Sequence, residues 1–196
     1  MILPERKVIF VHIPKTGGTS IERFFGVKMF ARTGKHHSVS QLRQAVGADD
    51  WNHYFKFSFV RNPWDRMVSY FNWRSQDLQN VDVQGRTFKD WLTFLQAGNF
   101  SGIKFNPSFN YGIKSQFEMI TDGNDLAVDF VGRFENLQSD FDCVCDRMGI
   151  EQQPLPHKNV MNRKQHYTEF YDDESQALVK ALYHQDIEYF GYEFGT

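Results

Sequence analysis

Residues Lys7–His12 form a short β-branched and apolar run, the pattern of a buried strand. Ile13-Pro-Lys-Thr-Gly-Gly interrupts it, and Thr19-Ser-Ile-Glu-Arg-Phe-Phe resumes with helical character. A second unit of the same kind follows. Tyr54–Val60 reads as a strand that stops at Arg61-Asn-Pro-Trp, where Pro63 suits the first turn of a helix. That helix, over Trp64–Trp73, turns Met67, Tyr70, Phe71 and Arg74 toward one face. Between the two units, Ser38-Val-Ser-Gln has capping-box spacing, with Ser38 as N-cap and Gln41 at N3, and predicts a helix through Val46. Thr87–Ala97 carries Phe88, Trp91, Leu92 and Leu95 at amphipathic spacing, whereas residues 98–112 have no period and read as a surface loop. Phe117–Ile120 and Ala127–Phe134 read as strands around the Asp-Gly-Asn turn at 122–124. Glu135–Met148 and Asp172–Tyr189 read as helices. Strands alternating with helices, without repeats or linkers, predict an α/β sheet with crossover connections.

Composition sharpens this picture only in places. At 196 residues the chain is expected to be a single domain, 1–196, large enough for a core without disulfide or metal staples. Twenty phenylalanines point to a core built on rings, with a stacking platform for a planar ligand as the functional alternative. The net charge of −2 gives no sign of nucleic acid or an anionic membrane as the main partner. Cys143 and Cys145 diverge if their segment is helical, and two thiols are too few for a zinc site without nearby histidines, so both are expected to be reduced. The apolar run Val8–Val11 is far too short for a signal peptide or a membrane span, and a soluble, cytoplasmic protein is expected.

The candidate chemistry lies at the first strand–turn–helix. Such a turn gathers free backbone N–H groups and a helix dipole at one spot. Gly17 and Gly18 admit a phosphate close to the backbone, Lys15 adds a point charge, and Thr16, Thr19 and Ser20 add hydroxyl donors. A bare Gly-Gly would be an incidental turn, but the lysine, the hydroxyls and the preceding strand favour phosphate binding. In the kinase-type loop the lysine follows the glycines and a hydroxyl holds Mg²⁺; here the lysine precedes them. The next strong strand ends in Arg61 rather than a metal-holding aspartate, which argues for a second phosphate and against a metal.

Ile13-Pro-Lys-Thr-Gly-Gly-Thr-Ser and Phe59-Val-Arg-Asn-Pro-Trp-Asp-Arg-Met-Val-Ser-Tyr-Phe resemble the two cofactor motifs of sulfotransferases that use 3′-phosphoadenosine 5′-phosphosulfate (PAPS). Val128-Asp-Phe-Val-Gly-Arg-Phe-Glu-Asn-Leu and Leu155-Pro-His-Lys-Asn, followed by Arg163, agree. The likeness is to the carbohydrate type, family 2, which includes heparan sulfate 2-O- and chondroitin 4-O-sulfotransferases, in a short bacterial or otherwise cytosolic form. It implies a three-layer P-loop-type fold, a central and mainly parallel sheet flanked by helices. It also implies that Lys15 to Ser20 hold the 5′-phosphosulfate, that Arg61 and Ser69 hold the 3′-phosphate, and that no metal takes part.

The acceptor implied is a hydroxyl on a glycan or small molecule. Lys15 is placed to meet the bridging oxygen, and a base must take the acceptor proton. Lys35-His36-His37-Ser38 resembles the Lys-His-x-Thr stretch of bacterial relatives, which makes His36 the candidate base, with His37 second and a carboxylate such as Glu22 third. His12 is expected to pack or to hydrogen-bond locally. Asn159, Arg163 and Lys164 either cover the adenosine bisphosphate or form a solvated basic loop, and Arg133 and Glu135 either orient the cofactor or brace the sheet. Two other function classes stand beside this one. One is a P-loop nucleotide kinase or NTPase with Asp129 as its metal carboxylate; the other is a non-catalytic nucleotide-binding module.

Overall fold

The structure is a computed structural model, and it describes residues 1–26, 35–76, 82–98, 112–156 and 165–196. Nearly all of the loop expected over 98–112, together with Asn159, Arg163 and Lys164, lies outside the described residues. The chain forms two compact units, residues 1–61 with 111–159 and residues 62–110 with 160–196.

The first unit is built on a four-stranded sheet in the order β1 (Ile2–Leu3), β2 (Val8–Val11), β3 (Phe55–Val60) and β6 (Phe130–Arg133). β1 runs antiparallel to β2, while β2, β3 and β6 are parallel, with Phe10 opposite Phe57 and Val60 opposite Arg133. All four residues of β2 are buried, the continuous apolar pattern of a strand covered on both faces. The crossovers are helical: α1 (Gly18–Phe24), α2 (Val39–Val46) and α3 (Ala48–His53) lead from β2 to β3. The capping box forms as expected, with the Ser38 N–H donating to Gln41 Oε1 at 3.0 Å. After β6, a 3₁₀ turn at Phe134–Asn136 leads into a helix over Leu137–Met148 that packs Phe141, Val144 and Cys145 against Val8, Phe10, Phe57 and Phe59. The expected aromatic core is therefore present, and both cysteines are free, Cys143 exposed and Cys145 buried. The fold is the mixed α/β class with a mainly parallel central sheet flanked by helices.

Phe117–Ile120 is helical rather than extended, within α6 (Gln116–Ile120). Ser115 caps it by accepting from the Glu118 N–H at 3.3 Å. Gln116, Phe117, Met119 and Ile120 are buried while Glu118 is exposed, a helical spacing that four apolar letters do not reveal. The turn at 122–124 does form, with Gly123 left-handed at φ 66°, but it joins only β4 (Thr121–Asp122) to β5 (Asp125–Leu126). The strand expected over Ala127–Phe134 pairs only as β6.

The second unit is helical: α4 (Pro63–Ser75), α5 (Phe88–Gln96) and, near the end of the chain, α8 (Asp173–Leu182) and α9 (His184–Phe190), the helix over Leu137–Met148 being α7. Asn62 caps α4 by accepting from the Trp64 N–H at 3.1 Å, with Pro63 at its first turn. Trp64 Nε1 donates to the Gln176 carbonyl at 3.1 Å, and Tyr171 donates to the Trp64 carbonyl at 2.8 Å. Buried Arg74 pairs with Asp82, which also accepts from Trp91 Nε1. The single helix expected over Asp172–Tyr189 breaks at Tyr183, where the backbone leaves the helical region at φ −124°, ψ 30°. The Tyr183 ring is buried and lies 5.8 Å from the fully buried Arg66 guanidinium, and no glycine or proline marks the break. Among the described residues, no helix is long and apolar enough to cross a membrane.

Candidate functional site

The first unit carries a loop between the end of β2 and the start of α1. Two left-handed residues shape it, Lys15 at φ 70° and Gly17 at φ 83°. The second suits glycine on two grounds, since a Cβ at 17 would also stand 2.7 Å from Leu137 Cδ2. Lysine at a positive φ is uncommon and marks a backbone held by its surroundings. At Gly18 the reason for glycine is steric: any Cβ would overlap the His12 ring. Thr16 is buried and donates its hydroxyl proton to the Ile13 carbonyl at 2.9 Å, so its side chain braces the loop. Thr19 is half-buried and Ser20 buried, and the Ser20 N–H closes the turn on the Gly17 carbonyl at 2.9 Å.

Positive charge gathers here. Burial, and after it the Arg61 and Lys35 cations, push the Lys15 ammonium down to about 8. Arg61 Nη1 donates to the Lys15 carbonyl at 3.0 Å, and its guanidinium lies 4.0 Å from the centre of the Phe134 ring. Lys35 Nζ stands 3.5 Å from Glu22 Oε2. An anionic ligand would relieve the repulsion that Arg61 and Lys35 exert on Lys15, so the site is suited to phosphate or sulfate groups.

Beneath the loop lies a pair that the sequence did not reveal as a unit. His12 is buried, and its Nδ1 is 2.6 Å from Oε1 of Glu22, itself 2% exposed. A carboxylate only accepts, so Nδ1 carries the proton. Burial outweighs the carboxylate and holds the His12 imidazole down at about 4. His12 was expected to make local contacts; it does so, and it also serves the candidate base. His36 Nδ1 lies 2.9 Å from the His12 main-chain oxygen, with the two rings 4.6 Å apart edge to face. A carbonyl cannot donate, so His36 carries its proton on Nδ1 and its lone pair on Nε2. Burial, then the neighbouring His12, push His36 down to about 3, which keeps the ring neutral.

The remaining candidates are placed as follows. His37 is half-buried. Ser69 is a buried residue of α4, in the second unit. The Arg133 N–H donates to Asp140 Oδ2 at 2.6 Å, a brace between β6 and α7, and Glu135 is exposed. Asp129, on which a kinase reading would depend, sits beside Lys56, accepting from its N–H at 2.7 Å and facing its Nζ at 3.1 Å. The strands run parallel, so Asp129 lies at their amino ends, whereas the loop follows the carboxyl end of β2. It does not face the loop. Among the described residues, no group of three or more His, Cys, Asp or Glu is arranged to hold a metal.

A model of the Sulfotransferase family matches residues 1–193. The chain belongs to the sulfotransferase family. An uncharacterized protein of Archaeoglobus fulgidus is 28% identical over 112 residues, which cover 57% of this chain and 82% of that one. Its name assigns no acceptor. The loop and its neighbouring cations are suited to an anion, and His36 presents a lone pair on Nε2. Gln116 and Phe134, which hold Arg61, and the Glu22–His12 pair were not legible as parts of the site, because each acts on a residue distant in sequence.

Proposed function

We propose that this sulfotransferase takes its sulfuryl group from PAPS and passes it, in line and without a metal, to a hydroxyl of a carbohydrate-like or small-molecule acceptor. The observation that carries the reading is the loop itself, where left-handed Lys15 and Gly17 shape the turn, glycine stands at both close approaches, and Arg61 Nη1 donates to the Lys15 carbonyl at 3.0 Å. Such a cradle fits a phosphosulfate. PAPS supplies an activated sulfuryl group whose leaving partner is a stable bisphosphate. Lys15 neutralises charge growing on the bridging oxygen, while the N–H groups of residues 16–19 and the hydroxyls of Thr19 and Ser20 hold the phosphosulfate oxygens. His36 Nε2 takes the acceptor proton as the oxygen–sulfur bond forms. Arg61 and Ser69 recognise the 3′-phosphate, and Arg163 and Lys164 cover the adenosine bisphosphate. The two units serve as a single domain, a reading supported by a family match that spans both. Two free thiols accord with a cytoplasmic setting.

The test has two arms. Adenosine 3′,5′-bisphosphate without Mg²⁺ should raise the melting temperature, and ATP–Mg²⁺ should do so less. Incubation with PAPS and a metabolite extract should yield products heavier by one sulfate in the mass spectrum. Stabilisation by ATP–Mg²⁺ alone would sink the reading in favour of a kinase. Stabilisation by the bisphosphate with no sulfated product from any hydroxyl acceptor would leave a binding module.

A further inference from the structure

Arg61 follows the last residue of β3, one step beyond the final paired position, Val60 opposite Arg133. There the side chain of Gln116 takes the place of a neighbouring strand. The Arg61 N–H donates to Gln116 Oε1 at 2.9 Å, and Gln116 Nε2 donates to the Arg61 carbonyl at 2.8 Å. A carboxamide offers the same donor and acceptor as a peptide group, so this pair continues the ladder by one residue. Gln116 is completely buried. The guanidinium is fixed separately: Phe134 lies face-on at 4.0 Å, and Nη1 donates to the Lys15 carbonyl at 3.0 Å. Phe134 also borders the loop, since a Cβ at Gly17 would stand 3.3 Å from its Cδ2.

We propose that Gln116 and Phe134 are positioning residues that aim Arg61, one through its main chain and the other through its guanidinium, and so set the preference for a ligand bearing a 3′-phosphate. The proposal rests on the donor reading above. An unrestrained arginine has many rotamers, and ordering them on binding weakens affinity; a guanidinium set over a ring and tied to Lys15 is ordered beforehand. An arginine aimed in this way matters for one phosphate only. A brace of the fold would weaken every nucleotide alike.

The experiment compares affinities for adenosine 3′,5′-bisphosphate and 5′-AMP by calorimetry in wild type, Arg61→Ala, Gln116→Met and Phe134→Leu, and in each double variant with Arg61→Ala. Gln116→Met and Phe134→Leu should each weaken the bisphosphate about tenfold and 5′-AMP less than about threefold. Neither should weaken the bisphosphate further once Arg61 is alanine. Equal losses for both ligands, or additive losses in the double variants, overturn the proposal. Gln116→Met leaves two buried main-chain groups unpaired; should it fail to fold, Phe134→Leu carries the same comparison. Should wild type not discriminate the two nucleotides, the donor reading fails by itself. The aiming is then decided by the ¹⁵N order parameter of Arg61 Nε in the free protein: a drop in Phe134→Leu upholds it and an unchanged value refutes it.

Discussion

His36 donates from Nδ1 to the main-chain oxygen of His12 at 2.9 Å, across 24 residues of sequence. That single bond decides which nitrogen of His36 can act. With the proton on Nδ1, Nε2 is the acceptor, and burial keeps it so by disfavouring imidazolium. Burial is the largest cause of the downward shift at His36. Because His36 is pushed down to about 3, it should not produce an acid limb in the rate near neutrality. Any rise of the rate with pH through His36 should lie well below neutrality.

Replacement of His36 by alanine should lower kcat about 10²–10⁴-fold, the usual contribution of a positioned base. Affinity for adenosine 3′,5′-bisphosphate should change less than about threefold, because the ring is not assigned to hold the donor. His37→Ala should do less. A folded His36→Ala enzyme with an unchanged rate would move the base elsewhere, and Glu22→Gln would be measured next.

Lys15 should give the alkaline limb. Its ammonium sits at about 8 in the free protein, and a bound anion raises that value. Affinity for the bisphosphate is therefore full below about pH 8 and declines as pH rises past it, by up to about tenfold per unit. Calorimetry at pH 7, 8 and 9 should show this, with proton uptake on binding at the higher values. In Lys15→Ala the limb should vanish along with turnover.

The parts of the site that adjoin in sequence were legible. The strand, the loop with its lysine and glycines, the proline after Arg61 and the capping box at Ser38 follow from local chemistry, and each forms where the pattern puts it. What was hidden is long-range. Gln116 reaches the Arg61 main chain across 55 residues and Glu22 reaches the His12 ring across 10, and no periodicity announces a side chain that pairs with a group elsewhere. The misread strand at Phe117–Ile120 has the same origin, because a four-residue apolar run suits either a helix or a strand until burial chooses. The helix breaks at buried Tyr183, again without a glycine or proline as local signal.

Gly18→Ala tests the contact between the loop and the pair beneath it. Its new methyl group would meet the His12 ring, and the ring is boxed in by Phe10, whose centroid is 5.4 Å away, and by Glu22. Overpacking of this kind costs about 1–3 kcal/mol. Denaturant melts should show that loss, with weakened bisphosphate binding as the loop shifts. The control, Gly26→Ala, has open space around its Cβ but a φ of 69°, so it should lose less, and through backbone strain alone. Equal losses would mean that the His12 contact is unimportant.

Acid should weaken the fold through His12. Unfolded, this imidazole titrates near its ordinary value of 6.5; folded, burial holds it at about 4 despite the Glu22 carboxylate. Between these values the unfolded chain binds a proton that the native chain refuses, so stability is full above about pH 6.5 and falls as pH drops toward about 4. His36, lowered for the same reason, works in the same direction. The shift at His12 alone corresponds to a loss on the order of 3 kcal/mol across that window. Urea denaturation at pH 7.5, 6, 5 and 4, with the His12 and His36 shifts followed by NMR, should show both imidazoles neutral in the native state at pH 5. A native His12 that titrates near 6.5 would sink the linkage, and with it the view that burial, rather than the glutamate, governs the charge of this pair.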